Sequence, residues 1–173
     1  ASLYNEVYCV PTIVPTDNFE PVLYTGNSAS DNSGTTQSIT GVGFKPDLVW
    51  IKRRDGAENH YVHDSTRGST KQIYTNLTNA EYDESNSVTS FDADGFTLGG
   101  YNGSNNNGET YVAWNWKAGG TAVSNTDGSI TSQVSANVDA GFSIVSYSGS
   151  TSGTTVGHGL NSTPEVIIIK CTS

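Results

Sequence analysis

The most reactive side-chain types in this sequence are concentrated at residues 60–65. His60, His63, Asp64 and Ser65 could supply the base, the orienting carboxylate and the nucleophile of a serine hydrolase. On a strand, however, His60 and Asp64 would share one face, and His63 and Ser65 would share the other. The sequence also contains no Gly-x-Ser-x-Gly motif, which positions the nucleophile in α/β-hydrolases. We therefore expect this segment to be a strand with polar pairs rather than a catalytic triad.

A second motif, Asp92-Ala93-Asp94-Gly95, has the spacing found at the start of a calcium-binding loop. An EF-hand loop closes with a Glu at position 12, but position 12 counted from Asp92 is Gly103. Asp92 and Asp94 remain weak candidates for a small Ca²⁺ site. The alternative is a hairpin turn between Phe91 and Phe96, and the sequence indicates no other cofactor.

Aromatic side chains are the third candidate set, with 3 Trp, 9 Tyr and 5 Phe in the chain. Trp and Tyr on a sheet can stack on sugar rings, so Tyr101, Trp50 and Trp114 are candidate glycan contacts. The alternative for the Trp residues is a place in the hydrophobic core. Glycoside hydrolysis needs two carboxyl groups that face each other across a cleft, and the sequence singles out no such pair. We therefore predict no catalytic residues and a protein that is not an enzyme.

Composition narrows the function classes further. Among the 173 residues, 8 Lys+Arg against 17 Asp+Glu give a net charge of −9, which argues against nucleic acid as a partner. No apolar run is long enough to span a membrane as a helix. Cys9 and Cys171 match no metal-binding spacing; they could pair, but two lone, buried thiols are the simpler expectation.

The elements that must position these residues read as strands and turns. Asp-Gly and Asn-Gly pairs, which supply the positive φ of tight hairpin turns, separate short runs rich in Val, Ile, Tyr, Trp and Thr. The one weak helix candidate is Asn76–Glu84. The predicted strands are Val22–Thr25, Asp47–Lys52, His60–Asp64, Gln72–Tyr74, Ser87–Phe91, Gly95–Leu98, Tyr111–Lys117, Phe142–Tyr147 and Glu165–Lys170. Many short strands of this kind predict an all-β fold, an antiparallel β-sandwich of jelly-roll or lectin-like type.

The chain also contains an internal repeat. Residues 23–26 and 41–52 read Leu-Tyr-Thr-Gly and Gly-Val-Gly-Phe-Lys-Pro-Asp-Leu-Val-Trp-Ile-Lys. Residues 146–149, 157–160 and 164–170 repeat this pattern as Ser-Tyr-Ser-Gly, Gly-His-Gly-Leu and Pro-Glu-Val-Ile-Ile-Ile-Lys. A repeat of such long period indicates a duplicated domain rather than a solenoid. We predict an N-terminal arm over residues 1–18 and a β-sandwich over residues 19–140. Residues 141–173 would begin a second, similar module or close the first.

Four sequence strings resemble a virion protein family of marine phages, especially phages of cyanobacteria. They are residues 37–52, which hold the Gly-x-Gly-Phe-x-Pro-Asp-Leu-Val-Trp-Ile-Lys motif, and residues 60–68, 89–99 and 108–120. The likeness runs from Phe19 to Lys170. It implies a tail-fibre or other virion surface protein with a lectin-like β-sandwich, tandem modules and no assigned catalytic residues.

We therefore expect a structural protein located in the virion, most simply in a tail fibre that contributes to host-surface attachment. Its expected partners are other virion subunits in a homo-oligomer, with a trimer favoured, and a host-surface glycan. One alternative is a capsid decoration protein. Another is a secreted carbohydrate-binding module, and the weakest is a glycan-degrading enzyme.

Overall fold

The computed structural model describes residues 14–31, 33–150 and 152–173. Its elements are almost all strands, which alternate with short turns. A short 3-10 helix at Pro15–Asp17 precedes them, and the single α-helical turn is α1 (Asn102–Asn105). The strands are β1 (Phe19–Thr25), β2 (Gln37–Thr40), β3 (Leu48–Arg53), β4 (His60–Asp64), β5 (Gly68–Tyr74), β6 (Tyr82–Asp83), β7 (Val88–Asp92), β8 (Gly95–Leu98), β9 (Thr110–Trp116), β10 (Val123–Asn125), β11 (Ser132–Asn137) and β12 (Phe142–Tyr147). No helix in these ranges is long and apolar enough to cross a membrane.

Two antiparallel sheets form a sandwich, which confirms the predicted fold class. The larger sheet has the strand order β1-β9-β3-β4-β5-β6, and the smaller has the order β2-β8-β7. Alternate residues of both sheets are buried between them, as period-two side-chain geometry requires. The core consists of Ile39, Val49, Ile51, Tyr61, Val88, Phe96, Leu98, Tyr111 and Ala113.

A third sheet follows the sandwich, with the order β10-β11-β12. It contacts the first sheet through Phe142, whose ring stacks on Trp116 at 6.0 Å between ring centroids. The predicted boundary at residue 140 falls inside the hairpin that joins β11 to β12. The division of the chain into modules stays a prediction, and residues 1–13 of the predicted arm, including Cys9, lie outside the described residues.

Two predicted elements are wrong. Glu165–Lys170 is not a strand, and the side chains of Val166–Ile169 are 70–77% exposed. An apolar run becomes a strand only where another strand satisfies its backbone groups, and no such partner occurs in the described ranges. Asn76–Glu84 contains no helix; the Asn76 side chain instead accepts a hydrogen bond from the His60 backbone, and Tyr82–Asp83 pairs with β5. The expectation of a buried thiol at Cys171 is also wrong: Cys171 follows the exposed run and is itself exposed, and its thiol donates to the Ser173 carbonyl oxygen.

The acidic residue of the repeated Pro-acid motif has a structural role in the sandwich. Asp47 is buried, and one carboxylate oxygen accepts a hydrogen bond from Ser65 Oγ at 2.7 Å. The other accepts one from the Ala118 backbone N–H at 2.8 Å. Asp47 therefore ties the start of β3 to the segments that follow β4 and β9.

We expect Asp47→Ala to lower the free energy of unfolding by about 2 kcal/mol, because it leaves the buried Ala118 N–H and the partly buried Ser65 hydroxyl without their acceptor. Chemical denaturation of the purified chain measures the loss. Asp139→Ala is the matched control, since Asp139 lies exposed in the β11–β12 turn. An equal loss in both variants would contradict the role assigned to Asp47.

Candidate functional site

The face of the larger sheet that points away from the core carries a row of apolar side chains. Along β9, Tyr111, Ala113 and Asn115 are buried towards the core, so Trp114 and Trp116 project to the opposite side. Register places Trp50 directly across from Trp114 on the neighbouring strand. Pro21 lies on the far side of Trp114, and Val62 lies on the far side of Trp50. The row therefore crosses four strands, with two tryptophans at its centre.

The two tryptophans form a corner rather than a flat platform. The ring centroids of Trp50 and Trp114 are 5.9 Å apart, and the ring planes meet at 77°. Both side chains are half-buried, so part of each indole remains accessible. Such edge-to-face pairs are energetically favoured, and they present one indole face beside the edge of another. This corner, Trp50 with Trp114, is the candidate functional site.

His60 extends the corner with a polar group. Trp50 Nε1–H donates to His60 Nδ1 at 3.0 Å, and the two rings meet edge to face. Partial burial, followed by the positive charge of Lys52, lowers the pKa of His60 below its usual value. The ring is therefore neutral at pH 7, and because Nδ1 accepts, Nε2 carries the proton. The sequence pattern indicated His60 only as part of a triad. A two-residue turn at Asp55-Gly56 would pair His60 with Ile51, whereas the observed register pairs it with Lys52, on the face that carries Trp50.

Tyr101 does not join this corner. It precedes α1 on the core side of the larger sheet, where its ring meets Tyr61 edge to face at 5.6 Å between centroids. Tyr61 lies opposite Ile51, whereas Trp50 and Trp114 project to the other side of the sheet. Of the three predicted glycan contacts, the structure brings together Trp50 and Trp114 and places Tyr101 apart from them.

Asp92 and Asp94 bond to different groups. Asp92 accepts hydrogen bonds from the hydroxyls of Ser90 and Thr97 at 2.8 and 2.7 Å. Asp94 accepts from the backbone N–H groups of Gly41 and Gly43 at 3.1 and 2.6 Å, which lowers its pKa. The part of the chain that the structure describes holds no cluster of three or more His, Cys, Asp or Glu side chains able to bind a metal.

The reactive side chains at residues 60–65 do not converge on one site in the structure. His63 is fully buried, and its two ring nitrogens contact Ser69 O and the side chains of Gln72 and Ser87. Asp64 pairs with Arg67 at 2.6 Å, while Ser65 donates to Asp47. No nucleophile, base and carboxylate converge among these residues, and their contacts are those of a sandwich interior.

A second candidate site is a groove between the sandwich and the third sheet, with a volume of about 1540 Å³. The side chains that line it include positive charges, negative charges and one aromatic ring, among them Lys45, Asp47, Phe91, Lys117 and Asp139. Asp47 is already bonded within the protein, so the groove offers less specific recognition chemistry than the tryptophan corner.

Comparison with known proteins identifies the family. A family model described as a domain of unknown function, DUF7483, matches residues 14–173. The chain belongs to this family. The match covers the sandwich, the third sheet and the exposed run at residues 166–169 together, so the family includes both copies of the internal repeat. No curated protein and no solved structure matches the chain.

Proposed function

We propose that the chain is a structural protein of a phage virion, located in a tail fibre, that contributes to host-surface attachment by binding a glycan at the Trp50–Trp114 corner. The observation that carries this proposal is the placement of two half-buried tryptophans side by side on the sheet face opposite the core. The resemblance of four sequence strings to a virion protein family of marine phages supports the virion location.

The corner has the chemistry that sugar recognition needs. The apolar C–H face of a pyranose ring packs on one indole, and the edge of the second indole limits how far the ring can slide. Lys52 and His60 lie opposite each other on the same face of β3 and β4. His60 Nε2–H, and the Lys52 ammonium beyond its bonds to the Arg53 and Gly56 carbonyls, supply donors for sugar hydroxyls at the rim. An apolar surface with a few fixed polar groups is the usual composition of a small-ligand site. The corner needs no metal or cofactor.

The same sheet face has exposed apolar residues that support assembly with other subunits. Leu23 is 61% exposed on β1, next to the tryptophan row, and Phe19 is also exposed. Contiguous apolar surface of this kind marks contact sites with other proteins. We propose a homo-oligomer, with a trimer favoured, in which β1 lies at or near the subunit contact; the molar mass from light scattering tests this.

Glycan binding is tested with an array of bacterial surface polysaccharides and the purified chain. We expect Trp50→Ala and Trp114→Ala each to weaken binding about tenfold or more, because each removes one wall of the corner. Tyr147→Ala is the matched control: it removes an aromatic side chain that is 42% exposed on the third sheet. Equal binding by all variants, or release of reducing sugar from a bound glycan, would overturn the proposal.

A further inference from the structure

The two polar side chains beside Trp50 at the tryptophan corner, Lys52 and His60, offer hydrogen-bond donors and no acceptor. Trp50 Nε1–H donates to His60 Nδ1, so the neutral ring carries its remaining proton on Nε2. The Lys52 ammonium has three N–H donors and no lone pair. A ligand that bonds to both groups must therefore present acceptors. A sugar hydroxyl both donates and accepts, whereas an ionised acid group only accepts and also carries a negative charge.

The ammonium group of Lys52 is held in place by backbone carbonyls rather than by a carboxylate. Its Nζ donates to the Arg53 carbonyl oxygen at 2.7 Å and to the Gly56 carbonyl oxygen at 3.4 Å. These bonds leave one N–H donor and the whole positive charge, since no ion pair among the described residues includes Lys52. A side chain that is already ordered loses little conformational freedom when it binds a ligand. Lys52 is therefore prepared for an anionic partner.

The other charged groups on and beside this face of the larger sheet balance one another. Register places Asp64 on the face that carries Trp50, and it places Asp83 directly opposite Lys71. The ion pairs join Asp64 and Glu81 to Arg67, and Asp83 to Lys71. Of the three cations Lys52, Arg67 and Lys71, only Lys52 keeps a charge that no carboxylate balances.

We propose that the corner selects acidic glycans: an anionic group of the sugar, a carboxylate or a sulfate ester, bonds to Lys52 Nζ and His60 Nε2 while the ring packs on the indoles. This inference rests on the proposed glycan-binding function and specifies its ligand class. Hydrogen bonds between ionised groups are stronger than neutral ones, so the anionic group supplies most of the discrimination. The net charge of −9 does not prevent this contact, because exposed charges more than about 8 Å apart are largely screened at physiological ionic strength.

The test uses an array on which each acidic bacterial surface polysaccharide lies beside its carboxyl-reduced and its desulfated form. We expect the full chain to bind the acidic polymer about tenfold or more tightly than the form that lacks its anionic group. Loss of binding on carboxyl reduction assigns a carboxylate, and loss on desulfation assigns a sulfate ester. Equal binding of charged and uncharged forms, or binding of neutral polymers alone, would overturn this inference and leave glycan binding in place. Binding to no polymer would overturn both.

Variants separate the role of the charge from that of the rings. Lys52→Gln removes the charge and should weaken binding of the acidic polymer about tenfold, while binding of its uncharged form stays unchanged. Trp50→Ala should weaken binding of both forms. Lys71→Gln is the matched control, because the charge of Lys71 on the same face is already paired with Asp83. Circular dichroism shows whether each variant is folded. A folded Lys52→Gln chain that binds the acidic polymer as tightly as the wild type would contradict the inference.

Discussion

Acidification from pH 7 to pH 4 should lower the free energy of unfolding through a single buried histidine. Burial, aided by the nearby charge of Arg67, lowers the pKa of His63 from 6.5 to about 4. The unfolded chain therefore takes up a proton near pH 6.5, while the folded chain keeps His63 neutral until about pH 4. The unfolded state binds more protons in this window, so stability is lost as the pH falls, by about 3 kcal/mol in all.

Chemical denaturation of the wild type and of His63→Gln at several pH values between 7 and 4 isolates this contribution from that of the carboxylates. Gln does not titrate, so the stability of the variant should fall less steeply, and the two curves should converge at low pH. An NMR titration of the His63 ring gives the pKa directly. A ring that titrates near pH 6.5 in the folded protein would contradict the assignment.

Gly95→Ala should lower the free energy of unfolding of the sandwich more than any surface substitution does. Gly95 has φ +143°, a conformation that an L side chain rarely adopts, and an added Cβ would collide with the Ile39 carbonyl oxygen on β2. The backbone strain and the displaced β2–β8 pairing should together cost about 3 kcal/mol. Thermal unfolding followed by circular dichroism measures the change.

Gly149→Ala is the control for that substitution. Gly149 has no atom within 4 Å of an added Cβ, and its φ is not in the positive range. Its replacement should leave the midpoint of thermal unfolding nearly unchanged. If Gly95→Ala proves as mild as Gly149→Ala, the close approach of β8 to β2 is not as tight as the structure has it.

Sequence patterns predicted strands β3, β4, β8 and β9 well because these combine apolar, β-branched and aromatic residues with nearby turn residues. Tyr111–Trp116 alternates clearly, and the predicted turn between Phe91 and Phe96 joins β7 to β8, with Ala93 and Asp94 at its tip and Gly95 as the first residue of β8. Strands β2, β10 and β11 escaped prediction because Ser, Thr, Asn and Gln fill most of their positions. Their strand conformation comes from pairing with distant segments, as when Ile39 of β2 pairs with Phe96.

The position of the aromatic residues was harder to predict than the strands that carry them. Both faces of the larger sheet are apolar, so the alternation of β9 does not by itself say whether Trp114 or Tyr111 faces the core. The smaller sheet packs over the face that carries Tyr111, so Tyr111 is buried and Trp114 stays half-exposed. The same dependence on a partner explains why Val166–Ile169, although strand-like in sequence, is not a strand here.

Indole N–H resonances give the most direct test of the glycan-binding face. The chain has three tryptophans, and Trp116 serves as the internal control because its ring is covered by Phe142, which stacks on it, and by the tilted ring of Phe19. In a ¹⁵N-labelled sample titrated with a host-surface polysaccharide that it binds, the Nε1–H signals of Trp50 and Trp114 should shift while that of Trp116 stays in place. Binding that leaves both corner signals unmoved would contradict the account.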